Sequence, residues 1–503
     1  MRTHLLLNNN NNKKNPLAST AKPGQRIVIT PFPTSGGRAG DGGYNMKTVC
    51  LLFEIHQPFR LKKYRFYDIG ADHYYYDDYN NEEILKRLAY QSYIPASKML
   101  LEMIEASERQ FKVALCISGV AMEQFEMYCP EFLDCVRDLV ATGCCELCCE
   151  TYSHSLSSLM DPEDFHIQAE LQKKIINETF QYDPKTFVNT GLIYNDEIGA
   201  EIASMGFKGI ITEGTRHVLG WRSPHFVYST AAKQDVGLMF RDTKLSEDIC
   251  LNFQYGLDAD RYMQEIANLS EDRQVVLVAM NFDVIGGMNP ESSGIFNFFK
   301  ALPTFAKEKG VRFATPAEVW ENISPVSVAN VGHPISWDGY DKDVSAWMGN
   351  DLQNEALRAI YSISERLHMS SNEILRQDFA YLLSADHFKF MSTKMGAYVP
   401  FSPYESSFDA FTNYMNIVSD IQIRLKQEFP EEVENEELNP LLKQINEQGK
   451  IIEQLEAKLA KAEAKVAEKK TAAKKPAAEK KPAAEKKPAA KKPAAKKAEK
   501  KAE

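Results

Sequence analysis

At 503 residues, with 44% hydrophobic and 11% aromatic side chains, the chain has ample material for a large core and is too long for one average domain. Its net charge of −10 conceals an asymmetry: residues 471–503 carry 12 Lys against 4 Glu, while residues 1–470 carry 47 basic and 65 acidic side chains, a balance of −18. An acidic body argues against nucleic acid or an anionic membrane as the main partner and leaves neutral polymers open.

Residues 1–45 are rich in Asn, Gly, Pro, Ser and Lys without periodicity and read as a disordered extension. Met46-Lys47, followed by the strand 48–54, looks like a natural start, so the segment before it is expected to be an upstream extension of the reading frame. Leu5-Leu6-Leu7 is too short for the apolar core of a signal peptide. No run of about 20 apolar residues occurs, so no transmembrane helix is expected. From 46 to 330, short apolar strands alternate with helical patterns. The strands are expected at 48–54, 111–118, 145–150, 187–193, 208–213, 225–229, 275–282 and 311–315, with helices at 92–108, 131–142, 162–179 and 195–205. Strands separated by helices pair in parallel, and seven or eight of them suggest a closed or nearly closed α/β barrel. Residues 331–435 read as a helical region, with helices at 354–367 and 407–427. Within 436–470, Ile445, Gln448, Ile452, Leu455, Leu459, Ala462 and Val466 follow the 3-4 spacing of a coiled-coil seam, which would make a homo-oligomer or a marginal single helix. Residues 471–503 form a disordered Lys/Ala/Pro repeat. That tail reads either as a weak electrostatic tether to nucleic acid or acidic surfaces, or as a solubilising tail.

The nine cysteines are an odd number, which is no disulfide framework. Cys144-Cys145-Glu146-Leu147-Cys148-Cys149 has C-x-x-C spacing but no second pair to complete a zinc site, and reads instead as a buried strand of reduced thiols. Reduced cysteines and the lack of an export signal favour the cytoplasm.

Active sites of such barrels gather at the C-terminal strand ends. There the sequence places Glu54 and His56-Gln57-Pro58, Ser118-Gly119, Glu150-Thr151-Tyr152-Ser153-His154-Ser155, Asn189-Thr190-Gly191-Leu192-Ile193-Tyr194, Glu213-Gly214 and Met280-Asn281-Phe282-Asp283. Trp221, Trp347 and Asp386-His387 follow in later segments. Aromatic faces stack on sugar rings and polar tips fix hydroxyls. Each of these residues also has a plain structural reading as a packed aromatic or a satisfied core histidine.

This ordered series, from about Met46 to about Gln427, resembles the α-amylase branch of glycoside hydrolase family 57. The resemblance implies an incomplete (β/α)7 barrel followed by a C-terminal helical region, acting on starch, glycogen or maltodextrin with retention and with no metal or organic cofactor. The family's HQP motif matches His56, Gln57 and Pro58, and its E-T-x-x-H-S stretch matches Glu150, Thr151, His154 and Ser155. Its nucleophile aligns with Gly191 and its acid/base with Asn281. A retaining glycosidase needs two carboxylates about 5–5.5 Å apart. Glycine has no side chain to attack with, and an amide cannot give up a proton as an acid, so hydrolysis is expected to be lost or impaired.

Asp283 is a possible substitute. Two residues along a strand from Asn281, it would point to the same side, roughly 6–7 Å away, and misplacement by about 1 Å already costs about a hundredfold in rate. Three functions stay open: an α-glucan-binding protein with impaired hydrolysis, an active hydrolase or glucanotransferase using Asp283 with Glu150 or Glu213, and a non-enzymatic scaffold for a true amylase. His56, Gln57, Glu150, His154, Glu213, Trp221, Trp347, Asp386 and His387 are the expected sugar-binding set. If the scaffold is intact, Glu at 191 with Asp at 281 should revive hydrolysis.

Overall fold

The computed structural model describes residues 46–394, 401–429 and 448–450. The expectations for the N-terminal extension, the coiled coil and the basic tail therefore lie outside the described residues, apart from three helical residues at 448–450.

Nine strands form one sheet: β1 (Lys47–Ile55), β2 (Val113–Ile117), β3 (Cys145–Cys148), β4 (Thr186–Val188), β5 (Gly209–Glu213), β6 (Val227–Ser229), β7 (Gly237–Arg241), β8 (Val275–Asn281) and β9 (Val311–Phe313). Seven of them run in parallel in the order β3-β2-β1-β8-β7-β5-β4. The Cys149 amide donates to Thr186 O at 2.9 Å and the Val188 amide to Cys149 O at 2.8 Å, so β4 returns to β3 and nearly closes the ring. The β7–β8 seam is narrow, with only Arg241 and Leu277 in register. β9 pairs with the first three residues of β1.

Alternation along the strands divides the side chains into two populations. In β1, Val49, Leu51, Phe53 and Ile55 face a helical shell that includes Leu100, Phe125 and Phe299. Cys50 and Leu52 face the barrel axis, where Ala114, Cys116, Cys148, Val188, Ile211, Met239, Leu277 and Ala279 meet them. A seven-stranded interior is narrow, and small thiol and methyl side chains fill it. All nine cysteines are free, and Cys144, Cys145, Cys148 and Cys149 are buried. At the N-terminal end of the barrel the Trp320 indole donates to Thr186 Oγ1 at 2.8 Å.

Two sequence expectations shift in detail. The strand at 225–229 exists only as β6, an antiparallel partner of β7, and the barrel position belongs to β7, whose apolar run between Gly237 and Arg241 is only three residues long. The expected strand 187–193 ends at Val188; Thr190–Leu192 is a 3-10 turn in which Gly191 and Leu192 have φ of 57° and 56°.

The C-terminal helices Asp351–Tyr361, Ser364–Met369, Glu373–Leu382, Ala385–Lys389 and Ser407–Glu428 share one apolar cluster with barrel residues. Phe187, Ile193 and Tyr194 meet Leu357, Ile360 and Tyr414 within it. The helix expected at 354–367 is broken near Ser362–Ile363, between the first two of these. Among the described residues, no helix is long and apolar enough to cross a membrane.

The backbones at Gly209 and Gly237 approach Trp320 closely. A Cβ on Gly209 would lie 2.2 Å from the indole. Gly209→Ala is expected to destabilise the fold by about 1–3 kcal/mol through overpacking, read as a lower urea midpoint with an unchanged slope.

Candidate active site

The cleft lies at the C-terminal ends of the strands and encloses about 790 Å³ of space open to solvent. β1 delivers Glu54 and then His56, Gln57 and Pro58. The segment after β3 delivers His154, the turn after β4 Gly191, and β8 with its following turn Asn281 and Asp283. Trp337, Trp347, Asp386, Lys389 and Phe401 come from the C-terminal segments.

His56 is the hub. Its Nδ1 lies 2.7 Å from Ser118 Oγ, and its Nε2 lies 3.0 Å from both Ser384 Oγ and Asp386 Oδ2. Its ring stacks on His154 at 4.2 Å. His154 sits at φ 52°, held where the Ala385 amide donates to its carbonyl at 3.0 Å. Strand ends of β1 and β2 and the C-terminal helices thus meet at one imidazole. Burial opposes ionisation of Asp386, yet His56, His154 and Lys389 together hold its carboxyl below the usual carboxylate range.

Below this stack lie two buried carboxylates. Glu150 accepts from or pairs with His154 Nδ1 at 2.6 Å, and the Cys116 thiol donates to it at 3.5 Å. Burial pushes Glu54 up to about 7 and Glu150 up to about 8. On the other wall, the buried Arg60 donates to Phe401 O at 3.2 Å and Gln57 Oε1 at 2.9 Å. Lys389 pairs with Asp338 and stands 5.5 Å over the Trp347 ring.

The two positions that the sequence resemblance set against catalytic carboxylates differ in kind. Asn281 is exposed at the end of β8, level with Glu54 of β1. Gly191 has left-handed backbone, and a Cβ there would lie 2.6 Å from Trp347 Cη2. The indole takes up the space that a side chain at 191 needs. The expected revival by Glu at 191 with Asp at 281 is corrected on this ground, because glutamate would be strained in φ and in collision with a ring that is 3% exposed.

The same-side argument for Asp283 does not hold either, because β8 ends at Asn281 and Phe282–Val284 is a 3-10 turn. Asp283 nevertheless turns into the cleft, with Oδ1 buried and lacking a hydrogen bond.

A profile described as "Glycosyl hydrolase family 57" matches residues 50–332. The chain belongs to that family. A protein of Methanocaldococcus jannaschii named "Putative alpha-amylase" is 33% identical over 406 residues, covering 75% of this chain and 85% of its own. Among solved structures, 4-alpha-glucanotransferase from Thermococcus litoralis superposes with a TM-score of 0.57 at 15% identity over 75% of this chain. This chain spans only 60% of that enzyme's length. A family 57 branching enzyme from Thermococcus kodakaraensis gives a TM-score of 0.57 at 11% identity, covering 75% of this chain and 90% of its own. These two structural likenesses speak for the family 57 fold.

Of the sequence-derived sugar-binding set, His56, Gln57, His154, Trp347 and Asp386 line the cleft together with Gly191, Asn281 and Asp283. Four residues lie elsewhere. Glu150 is fully buried beneath His154. Glu213 is fully buried in an ion pair with Arg241 Nη1 at 2.8 Å. Trp221 is 88% exposed outside the cleft. His387 is buried with Nε2 3.1 Å from Tyr381 O. The sequence reading missed Arg60, Tyr93, Trp337, Lys389 and Phe401, and gave Glu54 no role beyond its strand end. Inward alternation with Cys50 and Leu52 would have flagged Glu54. Lys389 follows Asp386 by three residues on one short helix, a spacing that was readable. Trp337 and Phe401 stand on irregular chain and carry no periodic signal.

Burial pushes Asp283 up to about 6, against about 3.9 for an unfolded aspartate. The folded state holds this proton more tightly, so the contribution is full below about pH 4 and is lost as pH rises through about 6. Asp283→Asn is therefore expected to be more stable than wild type at pH 7.5 and to match it near pH 4, as read by urea denaturation at the two pH values.

Proposed function

We propose that this chain binds α-glucan in the cleft, while the family's retaining hydrolysis is lost or strongly impaired. The observation that carries this reading is the pairing of Gly191 with Trp347. At the position aligned with the nucleophile there is neither a carboxylate nor room for one. Asn281, at the acid/base position, offers an amide in place of an acid. Carbohydrate binding is supported by the walls: Trp337 and Phe401 are half-buried rings at the cleft, while His56, Asp386 and Lys389 supply half-buried polar tips. The substrate class follows from the names of the relatives, an alpha-amylase by name, a 4-alpha-glucanotransferase and a branching enzyme. The free cysteines favour a reducing compartment, hence the cytoplasm.

A second reading keeps an active enzyme with relocated carboxylates, and Asp283 favours it. It lines the cleft, and a carboxyl near 6 is tuned for proton transfer near neutrality. Its suggested partners are poorly placed, since Glu213 is neutralised by Arg241 and Glu150 is covered by His154.

Pure protein is expected to be retarded by glycogen in affinity electrophoresis and to release no reducing ends from soluble starch or glycogen. Release that disappears in Asp283→Asn would replace this reading by the second, and absence of retardation would remove glucan binding. Gly191→Glu combined with Asn281→Asp is expected to gain no hydrolysis and to lower the thermal midpoint by several degrees. Measurable turnover by that double variant would show that Trp347 can yield.

A further inference from the structure

One group of side chains at the cleft floor is not used by the glucan-binding reading. Glu54 ends the inward row of β1, in register with Cys116 of β2, which is in register with Cys148 of β3. Glu150 follows two residues later on the same face, and its Oε1 lies 3.5 Å from Cys116 Sγ. One ligand atom each from Glu54, Glu150 and His154 lie within 4.8 Å of one another.

This cluster is short of hydrogen-bond donors. Glu54 is 4% exposed, and neither of its carboxylate oxygens has a hydrogen-bond partner. Its contact with His154 Nδ1 is 3.5 Å, too long for a good hydrogen bond. The same Nδ1 is already engaged by Glu150 at 2.6 Å. Beyond the His154 imidazole, neither carboxylate is paired with a basic side chain among the described residues, and buried carboxylates are otherwise paired or bound to metal.

We propose that Glu54, Glu150 and His154 form a divalent-cation site of zinc or manganese type, with an open coordination position facing the cleft. Two carboxylate oxygens and one imidazole nitrogen are a donor set that such ions accept. Zinc–ligand distances of about 2.0–2.2 Å require only modest side-chain adjustment from this spacing. Glu54 and His154 line the open cleft, which supplies the entry path. The surroundings orient the ligands: His56 stacks on His154, the Ala385 amide holds the His154 carbonyl, and Cys116 donates to Glu150. This departs from the metal-free expectation that the family resemblance carried. It stands apart from the glucan-binding reading, because its readout needs no sugar.

The test uses full-length protein stripped with chelator and titrated with Co²⁺, a spectroscopic stand-in for zinc, and separately with Mn²⁺. One equivalent is expected to bind, with cobalt d–d absorption and no thiolate-to-cobalt charge-transfer band. Glu54→Gln and His154→Asn are each expected to weaken binding at least about a hundredfold, since losing an outer partner alone costs 10–100-fold. Asparagine is chosen because it tolerates the positive φ at 154. Absence of uptake, unchanged affinity in both variants, or a thiolate charge-transfer band would each overturn the proposal. Should the variants fail to fold by circular dichroism, Mn²⁺ broadening of histidine imidazole resonances in the wild-type protein decides. Broadening that is strongest at His154 and His56 and falls off with distance from them supports the site, and broadening centred on any other histidine overturns it.

Discussion

In β1 every second side chain faces the axis of a seven-stranded barrel, and the row Cys50, Leu52, Glu54 climbs that axis to the cleft. The interior is too narrow for water to follow freely, so a carboxylate at its upper rim must find its compensation among neighbouring strands. The rest of the site depends on this constraint. β2 and the residue after it contribute Cys116 and the Ser118 hydroxyl, the segment after β3 contributes Glu150 and His154, and His56 stacks on His154. The barrel ends in a compact polar layer whose charges are rationed: Glu213 takes Arg241, Asp338 takes Lys389 and Asp386 takes His56, while Glu54 and Glu150 share one histidine.

The C-terminal helices are part of this layer rather than an appendage. Ser384 and Asp386 bind His56, and Ala385 binds the His154 backbone, so the helical region positions both imidazoles. Its Trp347 also fills the space beside Gly191, and the Trp337 amide donates to Gly191 O at 3.0 Å. The left-handed turn at Gly191 and Leu192 is therefore over-determined from the far side of the cleft. Gly191 belongs to a wider arrangement. The backbone, the two indoles and the glycine form one consistent arrangement, in which the space a side chain at 191 would need is occupied by Trp347.

A parallel α/β barrel with a helical C-terminal region was legible in the chain because its strands are apolar runs alternating with long amphipathic helices. So were the strand-end motifs carrying His56, His154, Asn281 and Gly191, because barrel topology brings successive strand ends together. β7 escaped notice because Gly237 and Arg241 at its ends leave an apolar run of only three residues, Leu238-Met239-Phe240, next to the β-branched and aromatic run of β6. Asp283 was placed by a strand rule that ceases to apply one residue earlier, where the chain enters a 3-10 turn.

What the sequence by itself determined is the family scaffold, the order of its motifs and the residue types at positions 191 and 281, a glycine and an asparagine. These are local facts of residue type and spacing. The tertiary structure alone decided which polar groups face one another. It set Glu213 against Arg241 and away from the cleft, left Trp221 in solvent, buried His387 against Tyr381 O, and brought Arg60, Trp337 and Lys389 into the walls. It also joined Glu54, Glu150 and His154. The physical reason is that compensation of buried charge and exclusion of side chains by neighbouring rings act across space, between residues up to several hundred positions apart, where spacing along the chain carries no information.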